Sequence, residues 1–350
     1  MTGLAAAADD LAVAAATTAA SDGVPRRTDP ELLARLEPFR RELTGYCYRM
    51  LGSTFDAEDA VQETMVRAWR ALDRFDGRSS LRSWLYRIAT NVCLDALNGA
   101  RRRALPIDMS PAASPPVLAS LGEPRAEQHW IGPIADDRVL PETGDPAELA
   151  VARESVRLAF VAALQLLPAR QRAVLILREV LRWKADEVAE LLGSTVASVN
   201  SALQRARTTL AARDLARAGT APDPMDSAHV ALLARYVSAF EAYDIEALVA
   251  LLHEDATQSM PPYALWLRGP VDIGRWHSGP GAACEGSRLL PVMANGSPAF
   301  AQYRPSSTPG RREPWSIHLL EISAGRISRI TNFLDPALFI AFGLPTELVD

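Results

Sequence analysis

Two stretches of helical apolar periodicity, separated by more than forty residues that have none, set the main constraint on this chain. In residues 29–103, Leu32, Leu33, Leu36, Phe39, Leu43, Tyr46 and Met50 recur at steps of three and four, and Gly52-Ser53 breaks the run. A second helix is expected from about Asp56, with Ala57, Val61, Met65, Ala68, Trp69 and Leu72 on its apolar face, so that Trp69 belongs to the core. After the turn 76–79, Ser80 can cap a third helix carrying Leu81, Trp84, Leu85, Ile88 and Val92. Residues 105–148 are rich in Pro, Gly and acidic side chains, which predicts a flexible or extended connector. Periodicity resumes near Val151, with Val156, Phe160, Ala163, Leu164 and Leu167 on one stripe. Pro168 then restarts the chain, and Val174, Leu175, Leu177 and Leu181 form the next.

Charge follows the same divisions. Residues 26–105 carry a net +4, 106–150 a net −6, 151–215 a net +4 and 216–350 a net −4, all inside a chain whose overall net charge is −5. Basic blocks suit phosphate contacts, whereas the overall charge argues against indiscriminate nucleic-acid binding. The Ala-rich start, residues 5–20, lacks a basic n-region and reads as a cytoplasmic tail rather than a signal peptide. No run approaches the roughly 20 apolar residues of a membrane span. Cys47, Cys93 and Cys284 form no CxxC pair, so neither a disulfide framework nor a metal site is expected, and no motif calls for a cofactor.

The most mechanistic local signal lies at 184–212. Val188, Ala189, Leu192, Val196, Val199 and Leu203 have the spacing that packs two helices across a Gly193 turn, which is a helix-turn-helix pattern. The second helix, from about 195 to 212, then turns Ser198, Asn200, Ser201, Gln204, Arg205 and Arg207 outward for groove and phosphate contact. After a Pro-rich linker at 220–226 the pattern changes to a helix-like stretch over 230–252. Strand-like segments follow at 299–303, 316–322 and 326–330, giving an α+β unit of about 120 residues.

Asp56-Ala-Glu-Asp-Ala-Val-Gln-Glu-Thr-Met-Val-Arg-Ala-Trp69, then Phe75 and Leu81-Arg-Ser-Trp-Leu-Tyr-Arg-Ile-Ala-Thr-Asn-Val-Cys-Leu-Asp95, resemble region 2 of the extracytoplasmic-function sigma factors. Leu166-Leu-Pro-Ala-Arg-Gln-Arg-Ala-Val-Leu175, Glu187-Val-Ala-Glu-Leu-Leu-Gly193 and Val199-Asn-Ser-Ala-Leu-Gln-Arg-Ala-Arg207 resemble their region 4. The likeness covers roughly residues 29–213. It implies that Asp59, Gln62 and Glu63 face the clamp of core RNA polymerase. It further implies that Phe75, Arg82, Arg87 and Asn91 handle unstacked bases and phosphates of the minus-10 element, with Arg101, Arg102 and Arg103 as further phosphate contacts, and that the second helix of the 184–212 motif reads the minus-35 element. Asn200 and Ala202 stand where many relatives carry a basic residue, which implies a different upstream preference. The helical domain that larger sigma factors hold between the two regions is absent. The acidic linker piece 129–141 resembles that of relatives with a C-terminal extension, and in such proteins it would lie where template DNA or nascent RNA passes.

The last 120 residues resemble the SnoaL-like domains of polyketide cyclases and ketosteroid isomerases, on the strength of 233–255, Ser259-Met-Pro-Pro262 and 327–336. That resemblance implies a cone around an apolar pocket, with Met260, Tyr263, Trp266, Trp276 and Phe333 as candidate lining and His253, Asp255, His277 and Asp335 as acid-base candidates. Fold does not dictate function, and no catalytic residue is assigned. The expected architecture is therefore a tail (1–28), region 2 (29–104), an acidic linker (105–150), region 4 (151–214), a second linker (215–227) and a SnoaL-like cone (228–350). Two all-α units are followed by an α+β domain. The expected partners are core RNA polymerase and promoter DNA, with room for a small-molecule ligand or an anti-sigma protein and no membrane contact. A polymerase-independent, ligand-responsive helix-turn-helix regulator, and a cyclase-like enzyme fused to a DNA-binding half, remain the alternatives.

Overall fold

The computed structural model describes residues 34–75, 77–110, 112–211 and 227–349. The expected tail and most of the second linker lie outside the described residues.

The N-terminal helical unit holds α1 (Arg40–Leu51), α2 (Thr54–Ala71) and α3 (Leu81–Leu97). Gly52, at φ +75°, ends α1 by returning its N–H to the Tyr48 carbonyl at 2.7 Å, a left-handed stop that glycine adopts without a Cβ clash. Ser53 then caps α2 by accepting the Asp56 N–H at 3.2 Å, and Ser80 caps α3 through the Ser83 N–H at 3.0 Å. Leu43, Tyr46, Cys47 and Met50 are fully buried, and Ala57, Val61, Ala68, Leu85, Ala89 and Cys93 bury alongside them. Trp69 corrects the expectation from periodicity. It sits at the edge of the α2 stripe and is 42% exposed, while Ala68 and Leu72 are buried. Trp84 is only half-buried and packs on Phe75, ring centroids 5.2 Å apart.

The connector is extended, as its composition suggests, but it is pinned along much of its length. Single helical turns at Pro106–Met109, Leu118–Ser120, Glu127–His129 and Asp136–Arg138 punctuate it. Its backbone bonds alternately to both neighbours. Gly132 N–H reaches the Gly52 carbonyl (2.9 Å) in the helical unit, while Ser114 N–H reaches Trp266 (2.7 Å) and Arg125 N–H reaches Pro262 (2.9 Å) in the C-terminal domain. Trp130, Ile131, Ile134, Val139 and Leu140 are buried. Their burial helps offset the roughly 1–2 kcal/mol per residue lost on ordering backbone.

The second helical unit comprises α4 (Pro146–Glu154), α5 (Leu158–Leu164), α6 (Ala169–Leu175), a π-helical turn (Ile176–Val180), α7 (Ala185–Leu191) and α8 (Val196–Ala211). Asp145 caps α4 through the N–H groups of Ala147 and Glu148. The predicted stripe from Val156 to Leu167 is broken at 155–157, where the chain turns between α4 and α5.

The C-terminal domain opens with α9 (Ser227–Glu241) and α10 (Ile245–Ala250). The two are separated where Tyr243 takes φ +54° and Asp244 caps α10 through the Ala247 N–H at 2.9 Å. β1 (Leu252–Ser259), β2 (Trp266–Arg268), α11 (Gly269–Ser278), β3 (Arg288–Ala294), β4 (Ser297–Pro305), β5 (Arg311–Ser323), β6 (Arg326–Phe333), α12 (Ala337–Ala341) and β7 (Leu348–Val349) follow. The sheet order is β2-β1-β6-β5-β4-β3 with β7 on β5; β1 and β6 run parallel and the other pairs antiparallel. Asp255 lies in β1 and pairs with Arg268 at 2.9 Å.

Candidate nucleic-acid interface

The helix-turn-helix is built as its spacing requires. Glu187 accepts the Lys184 N–H at 2.7 Å to start α7, Gly193 turns the chain at φ +57°, and the Thr195 hydroxyl accepts the Ser198 N–H at 3.1 Å to start α8. Val199, Ala202, Leu203, Ala206 and Leu210 bury one stripe of α8. The opposite face leaves Ser198, Asn200, Ser201, Gln204, Arg205 and Arg207 all exposed. Of the six, Arg207 is tied to Glu179 at 2.5 Å.

On α3 the four minus-10 candidates divide. Asn91 is exposed, and Phe75 is half-buried against Trp84. Arg82 pairs with Glu42 at 2.8 Å, and its guanidinium lies 5.1 Å from the Tyr86 ring and 5.5 Å from the Trp183 ring. Arg87 pairs with Glu190 at 3.2 Å. Trp183 and Glu190 come from the second helical unit, so α6 and α7 cover this part of α3. Tyr86 and Trp183 pack with ring centroids 5.0 Å apart. On α2, Asp59, Gln62 and Glu63 form an exposed polar row beside the exposed part of Trp69, with Glu63 held by Arg67 at 2.7 Å.

Two buried guanidiniums join the helical units. Arg49 donates to the Ser155 hydroxyl (2.7 Å) and carbonyl (3.2 Å). Arg172 donates to the Met50 carbonyl, to Gln165 Oε1 (2.6 Å) and to the Gln165 and Leu167 carbonyls. Burial pulls both guanidiniums down to about 10, so both stay charged at neutral pH. Sequence periodicity could not assign these roles, because the partners across the junction, Ser155 for Arg49 and Met50 for Arg172, are more than a hundred residues away.

The C-terminal domain plugs into the same junction through the β3–β4 hairpin. Asn295 and Gly296, both at positive φ, form its tip. The fully buried Asn295 accepts the Ile134 N–H at 3.0 Å and donates to Tyr48 Oη at 2.6 Å and to the Val156 carbonyl at 2.7 Å. One amide thereby bonds the first helical unit, the connector and the second helical unit. Tyr48 in turn donates to the Gly132 carbonyl at 2.8 Å. Asp136 accepts the Gly296 N–H at 2.8 Å, and burial raises its carboxyl to about 6. An Asn-Gly pair between strand-like segments is the turn signal that marks such a hairpin; what the turn inserts into is not encoded locally.

The candidate pocket residues separate in space. Met260 and Trp276 belong to the apolar core of the cone, with Tyr263 at its margin. Trp266 donates its indole N–H to the Ser110 carbonyl of the connector at 3.2 Å. Phe333 lines a cleft of about 300 Å³ shared with Phe55, Trp130, Pro133 and Leu338. The acid-base candidates do not converge either, since His253 and Asp255 sit on β1 and Asp335 caps the turn before α12 through the Ala337 N–H. Among them His277 is buried, donating to Gln258 Oε1 at 3.1 Å. Sequence reading missed the polar network nearby. His318 accepts the Tyr236 hydroxyl at 3.0 Å and donates to Gln302 at 2.8 Å, and Ser316 donates to the same Gln302 oxygen at 2.7 Å. Burial lowers His277 to about 4, and burial together with His277 lowers His318 to about 3, so both rings are neutral near pH 7.

Comparison with known proteins agrees with this layout. Residues 36–103 match the family Sigma-70 region 2, 157–210 match Sigma-70 region 4 and 233–330 match the SnoaL-like domain. The chain is 47% identical over 347 residues to the ECF RNA polymerase sigma factor SigG of Mycobacterium tuberculosis, covering 97% of this chain and 90% of that protein. It is 30% identical over 227 residues to SigJ of the same organism, covering 64% and 63% of the two chains. The crystal structure of Mycobacterium tuberculosis SigJ superposes on 90% of this chain and 99% of its own, with a TM-score of 0.57 at 22% identity, a likeness of fold. The chain therefore belongs to the extracytoplasmic-function RNA polymerase sigma factors, as a transcription initiation factor whose two sigma regions are followed by a SnoaL-like domain.

Proposed function

We propose that this chain directs core RNA polymerase to promoters by reading the minus-35 element with α8 and the minus-10 element with α3 and the loop before it, and that its C-terminal domain regulates this activity. The observation that carries the reading is the unequal state of the two DNA-facing helices. The polar row of α8 is open, whereas Arg82 and Arg87 of α3 are engaged by the domain that carries α8. In this arrangement region 2 is closed against region 4, and the Asn295 hairpin and the pinned connector hold the closure. Promoter opening would require the two regions to separate and the connector to leave the C-terminal domain. A signal could shift that balance only by binding the open and closed arrangements with different affinity.

Asp59, Gln62 and Glu63, with Trp69 beside them, are the proposed polymerase-facing row. Arg205 and Gln204 are the proposed base-reading pair of α8. The protein works in the cytoplasm, where polymerase and promoter DNA are, and its cone acts as a regulatory rather than an enzymatic unit. Among the described residues no helix is long and apolar enough to cross a membrane. Run-off transcription with purified core enzyme tests the reading. Promoter-specific transcripts should require added core enzyme, and a chain ending at residue 226 should change output several-fold at matched concentration. Tight promoter binding indifferent to core enzyme would overturn the sigma mechanism. Equal output from the full and shortened chains would overturn regulation by the C-terminal domain alone.

A further inference from the structure

The region 2–region 4 junction contains a cleft of about 640 Å³, within the usual range of small-ligand sites. Its walls come from the end of α3 and the segment after it, the start of α2, the connector at Glu127 and Gln128, and the region 4 segment around Gln165 and Arg172. Four arginines line it, Arg101, Arg102, Arg103 and Arg172, against two carboxylates, Asp56 and Glu127.

The arginines differ in what they already do. Arg103 consumes both carboxylates, at 2.6 Å to Asp56 and 3.3 Å to Glu127, and also donates to two carbonyls, so it is structural. Arg101 is exposed and, among the described residues, bonds to His129 Nε2 at 3.3 Å and to no carboxylate. Arg102 is exposed, and among the described residues no hydrogen bond or ion pair engages its side chain. Arg172 is 95% buried; it donates to carbonyl and amide oxygens, and among the described residues its buried Nε has no hydrogen-bond partner. A buried guanidinium with no carboxylate beside it leaves a positive field that an anion entering the cleft would neutralise.

We propose that this cleft binds a free oligophosphate, an anion of the pyrophosphate or nucleoside-polyphosphate class, on Arg101, Arg102 and Arg172. Guanidinium forks match phosphate oxygens in pairs, and several convergent arginines favour a multiply charged anion over chloride or a single carboxylate. The lining also includes the aliphatic Leu51, Ala96, Leu97, Ala100, Leu167 and Ala169, and it holds no aromatic ring on which a base could stack. Recognition is therefore directed at the phosphates and not at a particular base. Because the walls belong to region 2, the connector and region 4, a bound anion also ties these three segments together. That consequence rests on the closed-state reading above, but the binding itself does not.

The test uses the full chain and inorganic tripolyphosphate, followed by titration calorimetry at constant ionic strength with sulfate as the control salt. Saturable one-to-one binding is expected, weakened at least tenfold in the Arg101→Ser/Arg102→Ser double variant. Arg172→Gln removes a core anchor and can unfold the chain, so Ala169→Glu, which places a negative charge in the lining one turn from Arg172, serves as the independent second variant and should weaken binding similarly. Hydrogen exchange of connector amides near Glu127 should slow when tripolyphosphate is bound. Absence of binding, or equal affinity of the wild type and both variants, would overturn the site. A short DNA duplex distinguishes the other source of phosphates: if the duplex binds through Arg101 and Arg102 while tripolyphosphate neither binds nor competes, the cleft is a nucleic-acid backbone contact and the proposal is wrong.

Discussion

The two helices proposed to read promoter DNA meet very different surroundings. α8 buries one stripe within its own domain and leaves its polar face bare, whereas α3 has a second partner: Glu190 of α7 pairs with Arg87, and Trp183, just before α7, packs on Tyr86 and under the Arg82 guanidinium, which also pairs with Glu42 of α1. Both helices have similar amphipathic patterns. The difference shows that a helix's own periodicity determines which side chains leave its local core, but not whether another domain then lies over them. What keeps the second domain in place is remote from α3, at the Asn295 hairpin and the connector.

The comparison is broken most directly at that hairpin. Asn295→Leu strands the buried Ile134 N–H, removes the partner of the Val156 carbonyl and places a branched side chain at φ +54°. A stability loss of about 3–5 kcal/mol in urea denaturation is expected. A loss below about 1 kcal/mol would mean that the hairpin is not seated in the junction in solution.

Acid acts on the C-terminal domain from inside the cone. His277 and His318 are held near 4 and 3 in the folded protein, below the ordinary value of 6.5. Above pH 6.5 neither folded nor unfolded chain protonates them and the full stability is present. As pH falls below 6.5 the unfolded chain takes up protons that the folded chain refuses, so stability declines by about 2 kcal/mol per imidazole by pH 5. Asp136 acts with the opposite sign, since its raised value favours the folded chain as pH drops from about 6 toward 4. Measuring the decline in an Asp136→Asn background isolates the histidines. His318→Gln should flatten the curve, and an unchanged slope in that variant would show that this ring is not shielded from water.

Two smaller effects sharpen the contrast between the helices. Arg205→Ala on the open face of α8 should weaken holoenzyme binding to the upstream element by about 1–2 kcal/mol while leaving the melting temperature unchanged. Unaltered promoter affinity would place Arg205 away from the groove. Glu190→Gln releases Arg87 on the covered face of α3. The pair is solvent-exposed, with 42% and 72% of the two side chains accessible, so stability should change by less than about 1 kcal/mol. A loss well beyond that in thermal unfolding would show that the ion pair helps hold region 4 on α3.

Much of this protein is legible along the chain, and the legible parts share a cause. Ser53 and Ser80 as caps, Gly52 and Gly193 as turns, the exposed row of α8 and the strands at 299–303, 316–322 and 326–330 all depend on interactions within a few residues. Local backbone and periodicity rules determine them. Trp69 marks the limit of that logic. It falls at the edge of the apolar stripe of α2, and the ring is 42% exposed although Ala68 and Leu72 on either side of it in the chain are buried. The connector marks it again, because its composition excludes long helices and strands but cannot say what an extended segment will bind.

Only the tertiary structure decided the rest. It divided the five pocket candidates among the cone's core, the connector contact and the smaller cleft beside Phe55 and Trp130, and it assembled the Tyr236-His318-Gln302 network from three separate elements. It also placed Asn295 against Tyr48, 247 residues away, and Arg172 against Met50, 122 residues away. Buried polar groups must find partners wherever the fold brings them. Those pairings follow from how whole domains stack, a property that no local window of sequence contains.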